Sequence, residues 1–246
     1  MSPAEPASGE RSQMVLELGH RPSHAEADYI VGEGNELAYH HVLAYPDWPG
    51  PLTLVTGPAK AGKSHLARIW AARSGAAVAE PGEVEALAAE GGTQPLLVED
   101  VDRLSYAEEG LFHLLNQSMR DRRPLLLTAR EQIAKWPFRT DDLKSRARLA
   151  AHFTVTLSDD IQLSQMFVKL FADRQVVVDP KTIAYLVARM ERSPEEAVIL
   201  AGLADDIALA RGTAITRAVA AEALALRAAA HEEGQLSLDL EGSSDE

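Results

Sequence analysis

Eight consecutive residues constrain this chain more than any others. Gly57-Pro58-Ala59-Lys60-Ala61-Gly62-Lys63-Ser64 fits the pattern G-x-x-x-x-G-K-[ST]. The apolar run Leu52–Thr56 precedes it, and a helix-like segment, Ser64–Arg73, follows. Strand, glycine-rich turn and helix start are the setting that a phosphate-cradling loop requires. Gly57 and Gly62 allow the backbone to turn tightly around an anion. Successive N–H groups, Ala61 among them, then point inward as a nest at a helix N-terminus. Lys63 brings a point charge to the β- and γ-phosphates, and the Ser64 hydroxyl can complete a Mg²⁺ shell.

The rest of the chain supplies the sheet that such a loop needs. Five apolar runs read as strands: Leu52–Thr56, Ala76–Ala79, Leu96–Glu99, Leu125–Thr128 and Phe153–Leu157. The third and fourth are nearly continuous, as in parallel strands buried on both faces. The fifth alternates Phe153, Val155, Leu157, which places it nearer an edge. Ser105–Asp121 opens with a capping-box pair, Ser105 and Glu108, and sets Leu111, Leu114, Leu115 and Met119 on one face. Strands alternating with helices over short joints predict a doubly wound α/β domain.

After Leu157 the strand pattern stops. Asp159 and Asp160 suit a helix start, and Leu163, Met166, Phe167, Leu170 and Phe171 follow at helical spacing. Asp179-Pro180 reads as N-cap and first helical residue. Ser193-Pro194-Glu195-Glu196 combines a Ser cap, a proline and a glutamate three residues after the cap. Thr216 caps a last helix to about Ala229. The expected organisation is a polar tail over 1–25, an α/β base over 26–157, a helical lid over 158–230 and an acidic tail over 231–246.

Composition narrows the function. The formal net charge is −13, and the last fifteen residues hold six acids and no Lys or Arg. Tight, independent binding to a phosphate backbone is therefore disfavoured, and contact with DNA is expected only indirectly, through a partner. No cysteine is present, so no disulfide or thiol metal site can form. No run of eighteen apolar residues or signal core occurs, which makes the cytoplasm the expected location and a membrane role unexpected.

Leu96-Leu97-Val98-Glu99-Asp100, a buried strand ending in two acids, resembles a Walker B element. In that role Glu99 holds Mg²⁺ through water and Asp100 polarises the attacking water. Glu stands where Asp is usual, and its longer arm would shift the metal contact. Thr128, at the end of the next strand, occupies the sensor 1 position, within reach of the γ-phosphate or the water.

With these elements in order, the chain resembles the DnaA-related AAA+ proteins, and among them the short Hda family. Asp28-Tyr29-Ile30-Val31-Gly32-Glu33-Gly34-Asn35 is similar to that family's opening box, which lines an adenine pocket. The resemblance assigns nucleotide contacts to Tyr29, Ile30, Val31 and His65 beside the P-loop. Leu127-Thr128-Ala129-Arg130 and Leu143-Lys144-Ser145-Arg146 also follow family order. The second is similar to an L-x-S-R segment whose arginine reaches a neighbouring subunit's nucleotide; Arg146 takes that role, with Arg148 as rival. DnaA itself continues past its lid into a DNA-binding domain, for which Ala230–Glu246 is too short and acidic. The family's lid arginine, sensor 2, aligns with Glu195, with Arg189 and Arg192 close by. That departure, and the family's ADP-bound form, leave both ADP and ATP open as ligand.

Two hexapeptides remain. Gln13-Met14-Val15-Leu16-Glu17-Leu18 and Gln235-Leu236-Ser237-Leu238-Asp239-Leu240 share Q-x-x-L-x-L. They resemble the motif that docks on the DNA polymerase sliding clamp, in which the Gln amide meets the pocket mouth and spaced leucines fill it. Gln13, Leu16, Leu18, Gln235, Leu236, Leu238 and Leu240 are therefore candidate partner-binding residues. The resemblance implies a regulatory adapter that binds nucleotide and clamp and promotes hydrolysis of ATP on DnaA, with a homodimer left open. The alternative is an autonomous AAA+ ATPase such as a helicase loader.

Overall fold

The computed structural model describes residues 26–157 and 159–242, with side chains to 231. Its centre is β1 (Leu52–Thr56), which pairs in parallel with β4 (Leu125–Ala129) and β5 (Ala151–Thr154). β3 (Leu96–Val98) lies on the far side of β4, and β2 (Ala77–Val78) lies outside it. The order is β2-β3-β4-β1-β5, with every pairing parallel. Every residue of β1, β3 and β4 is buried, which explains their unbroken apolar runs.

Strand alternation sends neighbouring residues to opposite faces. Leu54, Leu96, Val98, Leu125 and Leu127 meet α3 (Val84–Glu90), α4 (Glu108–Asp121) and α5 (Asp141–Ala147) in one core. Val55, Leu97 and Leu126 enter a second core with α1 (Glu36–Leu43) and α2 (Lys63–Ser74). Trp70 stacks on Trp48 there, ring centroids 5.2 Å apart. Helices thus cover both faces, which is the expected doubly wound α/β arrangement.

A third core belongs to α6 (Asp160–Asp173), α7 (Pro180–Val187), α8 (Pro194–Arg211) and α9 (Arg217–Gly242). Phe167 and Phe171 pack against small residues of α8 and α9, including Ala201, Ala204, Ala220 and Ala223. Alanine at these positions gives helices close approach with little entropy loss. The caps form as expected: Asp159, Asp179 and Ser193 accept from the backbone N–H of Gln162, Lys181 and Glu196.

Three expectations need correction. β5 spans Ala151–Thr154 rather than Phe153–Leu157. Val155 N–H still donates to Thr56 O of β1 at 2.7 Å, and the chain leaves the sheet at Thr156, whose N–H donates to Gly34 O, so Leu157 is buried outside the ladder. α4 starts at Glu108 with no side-chain cap; the Glu108 carboxylate accepts from Arg139 N, Thr140 N and Thr140 Oγ1, ahead of α5. α9 continues to Gly242, past the end expected near Ala229. Its Ala-, Leu- and Glu-rich stretch has high helix propensity, with no proline to stop it. The Gln235–Leu240 backbone is therefore helical, and Gln13–Leu18 lies outside the described residues.

Fully buried Phe167 anchors the lid core. Phe167→Ala should cost about 3–5 kcal/mol in denaturant unfolding. Ile161→Ala, on the same helix but 71% exposed, should stay within about 0.5 kcal/mol of wild type.

Candidate functional site

The loop between β1 and α2 is held in a shape that few side chains permit. Gly57 has φ 151°, and a Cβ there would overlap the Val155 carbonyl oxygen. Gly62 caps α2 in the left-handed region, φ 96° and ψ 8°, with the Tyr29 ring where its Cβ would point. Lys60 also has positive φ, 62°. Gly57 N–H donates to Ala129 O at 3.2 Å, tying the loop to the end of β4. Lys63, only 6% exposed, curls back to donate from Nζ to Pro58 O at 2.9 Å. Its pKa is lowered, mainly by burial; Asp100 and Asp102 oppose this and Arg130 adds to it.

The loop forms one wall of a cleft of about 400 Å³, within the range of small-ligand sites. Of the residues expected to bind nucleotide, Tyr29, Ile30, Ala61, Gly62, Lys63, Ser64 and His65 line this cleft, and so does Asp100. The lid supplies the opposite wall through Met166, Leu170 and Val198. Val31 is 41% exposed and outside the cleft. Gly57 lines a neighbouring depression on the other side of the loop.

The opening segment is braced from within. Asn35, 2% exposed, donates from Nδ2 to Ile30 O at 2.8 Å and accepts from Gly32 N–H at 2.9 Å. Tyr29 stacks on Tyr39 and meets His65 edge-on. Its hydroxyl is buried with no hydrogen-bond partner, and burial raises its pKa. An orphaned donor of this kind normally has a polar partner. Beside a ring stack and an anion-binding loop, it fits the heteroaromatic end of a nucleotide. The first N–H groups of α2 lack helical acceptors and suit the phosphate end.

The acidic strand end departs from expectation. Arg68, one turn beyond Ser64 on α2, donates to Glu99 Oε2 from Nε at 3.0 Å and from Nη2 at 2.6 Å. Glu99 Oε1 is buried without a partner. Tyr106 O–H donates to Glu99 O at 2.9 Å, and burial pushes the Tyr106 pKa up to about 12. A carboxylate already neutralised by a guanidinium does not fit the role of magnesium acid. Asp100 and Ser64 both line the cleft and also a second depression that holds Arg68, Glu80 and Glu99. Among the described residues no group of three His, Cys, Asp or Glu side chains is placed to hold a metal ion.

Thr128 is also placed differently. It is fully buried and does not line the cleft; its Oγ1 accepts from Asp100 N–H at 2.9 Å. That bond steadies Asp100 at φ 47°, a left-handed conformation costing about 1 kcal/mol or more. Sequence reasoning missed Arg130, which lines the cleft, and Asp102, whose buried carboxylate accepts from the N–H groups of Arg130 and Glu131. It also missed Arg68, although a cation one helical turn after Ser64 was visible in the spacing. Arg146 is exposed on α5 and makes no ion pair among the described residues; it does not line the cleft, and Arg148 is exposed beside it. Glu195 lines the depression that holds Gly57, not the cleft.

No protein-family model matches the chain, and no curated protein matches it. Solved structures do. Domain III of the replication initiation protein DnaA from Thermotoga maritima is similar at 16% identity, covering 83% of this chain and 96% of that one, with TM-score 0.67. AMPPCP-bound DnaA from Aquifex aeolicus is similar at 19% identity over 79% of this chain and 67% of that one, TM-score 0.59. A single-residue variant of RuvB from Thermotoga maritima is similar at 16% identity over 81% of this chain and 71% of that one, TM-score 0.62. These likenesses establish the fold: an α/β P-loop AAA+ sheet with a small C-terminal helical lid. Among the described residues, no helix is long and apolar enough to cross a membrane.

Gly57 and Gly75 separate backbone strain from overlap. Gly75 has φ 68° with nothing near its missing Cβ, so Gly75→Ala should cost about 1 kcal/mol. Gly57→Ala adds collision with backbone and should cost roughly 2–3 kcal/mol, read as the difference in denaturant midpoint at constant slope.

Proposed function

We propose that this chain is a regulatory adapter of bacterial replication initiation, which binds an adenine nucleotide and promotes hydrolysis of ATP held by DnaA. The observation that carries the reading is the pairing of a formed nucleotide cleft with an uncommitted arginine elsewhere on the base. Tyr29, Lys63 and Ser64 line the cleft, while Arg146 stands exposed on α5 without an acidic partner among the described residues. One of the similar structures is DnaA holding AMPPCP, which supports adenosine di- or triphosphate as the ligand class here.

In this reading the lid and base close on the nucleotide and fix the attitude of α5. Arg146 then enters the nucleotide site of an ATP-bound DnaA, where its guanidinium stabilises charge on the transferring phosphoryl group. Arginines supplied in trans contribute about 10³–10⁵ to such reactions. Arg148, also exposed, is the competing donor. The chain's own hydrolysis is secondary: Glu99 is engaged by Arg68, and Thr128 is buried behind Asp100. That arrangement weighs against the alternative of an autonomous ATPase.

Localisation to DNA follows through the sliding clamp, by Gln13, Leu16 and Leu18 or by Gln235, Leu236, Leu238 and Leu240. Docking in extended form requires the second peptide to leave α9, whose helix runs to Gly242. The cost of unwinding that helix favours the first peptide. Clamp pull-downs with Gln13 and Leu16, or Gln235 and Leu238, changed to Ala should lose the clamp in the first case and retain it in the second.

The decisive measurement is DnaA ATPase with DNA-loaded clamp present. Wild-type protein should raise the rate. Arg146→Ala should reduce that stimulation about 100-fold or more while leaving nucleotide affinity unchanged. An unaltered DnaA rate on adding wild-type protein would refute the reading.

A further inference from the structure

Arg130 stands at the junction of two concavities. One is the cleft formed by Ala59–His65, the opening segment and the lid. The other is the depression beyond the loop, lined by Gly57, Pro58, Ala59 and lid residue Glu195. Ala59 and Arg130 are the two residues common to both. The loop's shoulder therefore has a guanidinium beside it, where the cleft adjoins a depression that Tyr29 and Ile30 do not line.

The position of that charge is not left to chance. Asp102, 8% exposed, holds Arg130 N–H at 3.1 Å and Glu131 N–H at 2.8 Å. A buried carboxylate is thus spent on fixing the backbone just after β4. Glu131 pairs with Lys135 at 3.2 Å; Asp100 and Glu195 also line the two concavities without an ion pair to Arg130. Arg130 makes no ion pair or side-chain hydrogen bond among the described residues, which leaves its fork of donors open toward an anion. Its charge also acts on Lys63, the residue that serves the outer phosphates in loops of this pattern. Neither position expected to sense that phosphate does so: Thr128 is buried on Asp100, and Glu195 carries the wrong sign.

We propose that Arg130 contacts the terminal phosphate of a bound nucleoside triphosphate from within this same chain, so that the site distinguishes triphosphate from diphosphate through the base and not through the lid. This rests on the nucleotide reading above and assigns one residue within it. A planar guanidinium suits bidentate contact with phosphate oxygens. A diphosphate would lie against α2 and Lys63 and fall short of Arg130.

Calorimetric titration of the full chain with AMPPCP and with ADP, in magnesium-containing buffer, tests the assignment. Arg130→Ala should weaken AMPPCP about tenfold or more, in keeping with loss of a charge-assisted contact. ADP should weaken by less than about threefold. Arg130→Lys, which keeps the charge but not the fork, should fall between. Thermal melting of each variant checks the fold, which the Asp102 backbone contacts should preserve because they do not use the Arg130 side chain. Equal weakening of both ligands, or of neither, overturns the proposal and leaves the nucleotide reading standing. Failure of folded wild-type protein to bind either ligand overturns both.

Discussion

The end of β4 is the point on which the site depends. Three consecutive residues there hold both halves of the cleft floor. Thr128 O accepts from Val101 N–H at 2.9 Å, and Thr128 Oγ1 accepts from Asp100 N–H. Ala129 O accepts from Gly57 N–H, at the start of the loop. Asp102 then returns the connection by accepting from Arg130 and Glu131. Because β4 is inserted between β1 and β3, the phosphate loop and the acidic turn are fastened to one strand and cannot shift independently. Gly57 and Asp100 keep their positive φ because Gly57 N–H is bonded to Ala129 O and Asp100 N–H to Thr128 Oγ1; at Asp100, which is not glycine, holding that conformation costs about 1 kcal/mol or more.

The second constraint joins base to lid. After β5 the chain leaves the sheet and docks on Gly34, where Thr156 N–H meets Gly34 O at 2.9 Å and any Cβ would strike Thr156. Asn35 then shapes the turn that presents Tyr29 and Ile30. Across the cleft, Lys169 of α6 donates to Asp28 O at 2.9 Å. α6 therefore has two duties: Leu163, Phe167 and Phe171 build the lid core, while Met166 and Leu170 face the cleft. A ligand touching both walls adds contacts across a joint that is otherwise sparse, so its occupancy bears on the angle between the two bodies.

Much of this was readable from the residues, and the misses have physical causes. The strands β1, β3 and β4 were legible because burial on both faces leaves unbroken apolar runs. The lid caps were legible because Asp159, Asp179 and Ser193 act locally, on N–H groups two or three residues away. Ser105 and Glu108 share the capping-box spacing, yet Glu108 is claimed by Thr140, a partner thirty-two residues on, which no local pattern reveals. The same holds in the site. The loop is a local motif and was found whole. Glu99–Arg68, Asp102–Arg130 and Thr128–Asp100 join residues twenty-eight or more apart, so residue type indicated chemistry while the fold decided how it was spent.

The charges around the loop then acquire a direction. An autonomous hydrolase needs a free acid to order metal and water, and a polar sensor facing the γ-phosphate. Here the first acid is neutralised across α2, and the sensor-position threonine braces a backbone amide from inside the core. The cleft is lined by the cations Lys63 and Arg130 and by the start of α2, with Asp100 as an acid among them. Cations and oriented N–H groups bind phosphate in the ground state as well as in a transition state, and uniform binding of that kind raises occupancy without raising turnover. On the proposed reading, a nucleotide held in this way serves to fix the attitude of base and lid, with Arg146 carried on the base, rather than to be consumed.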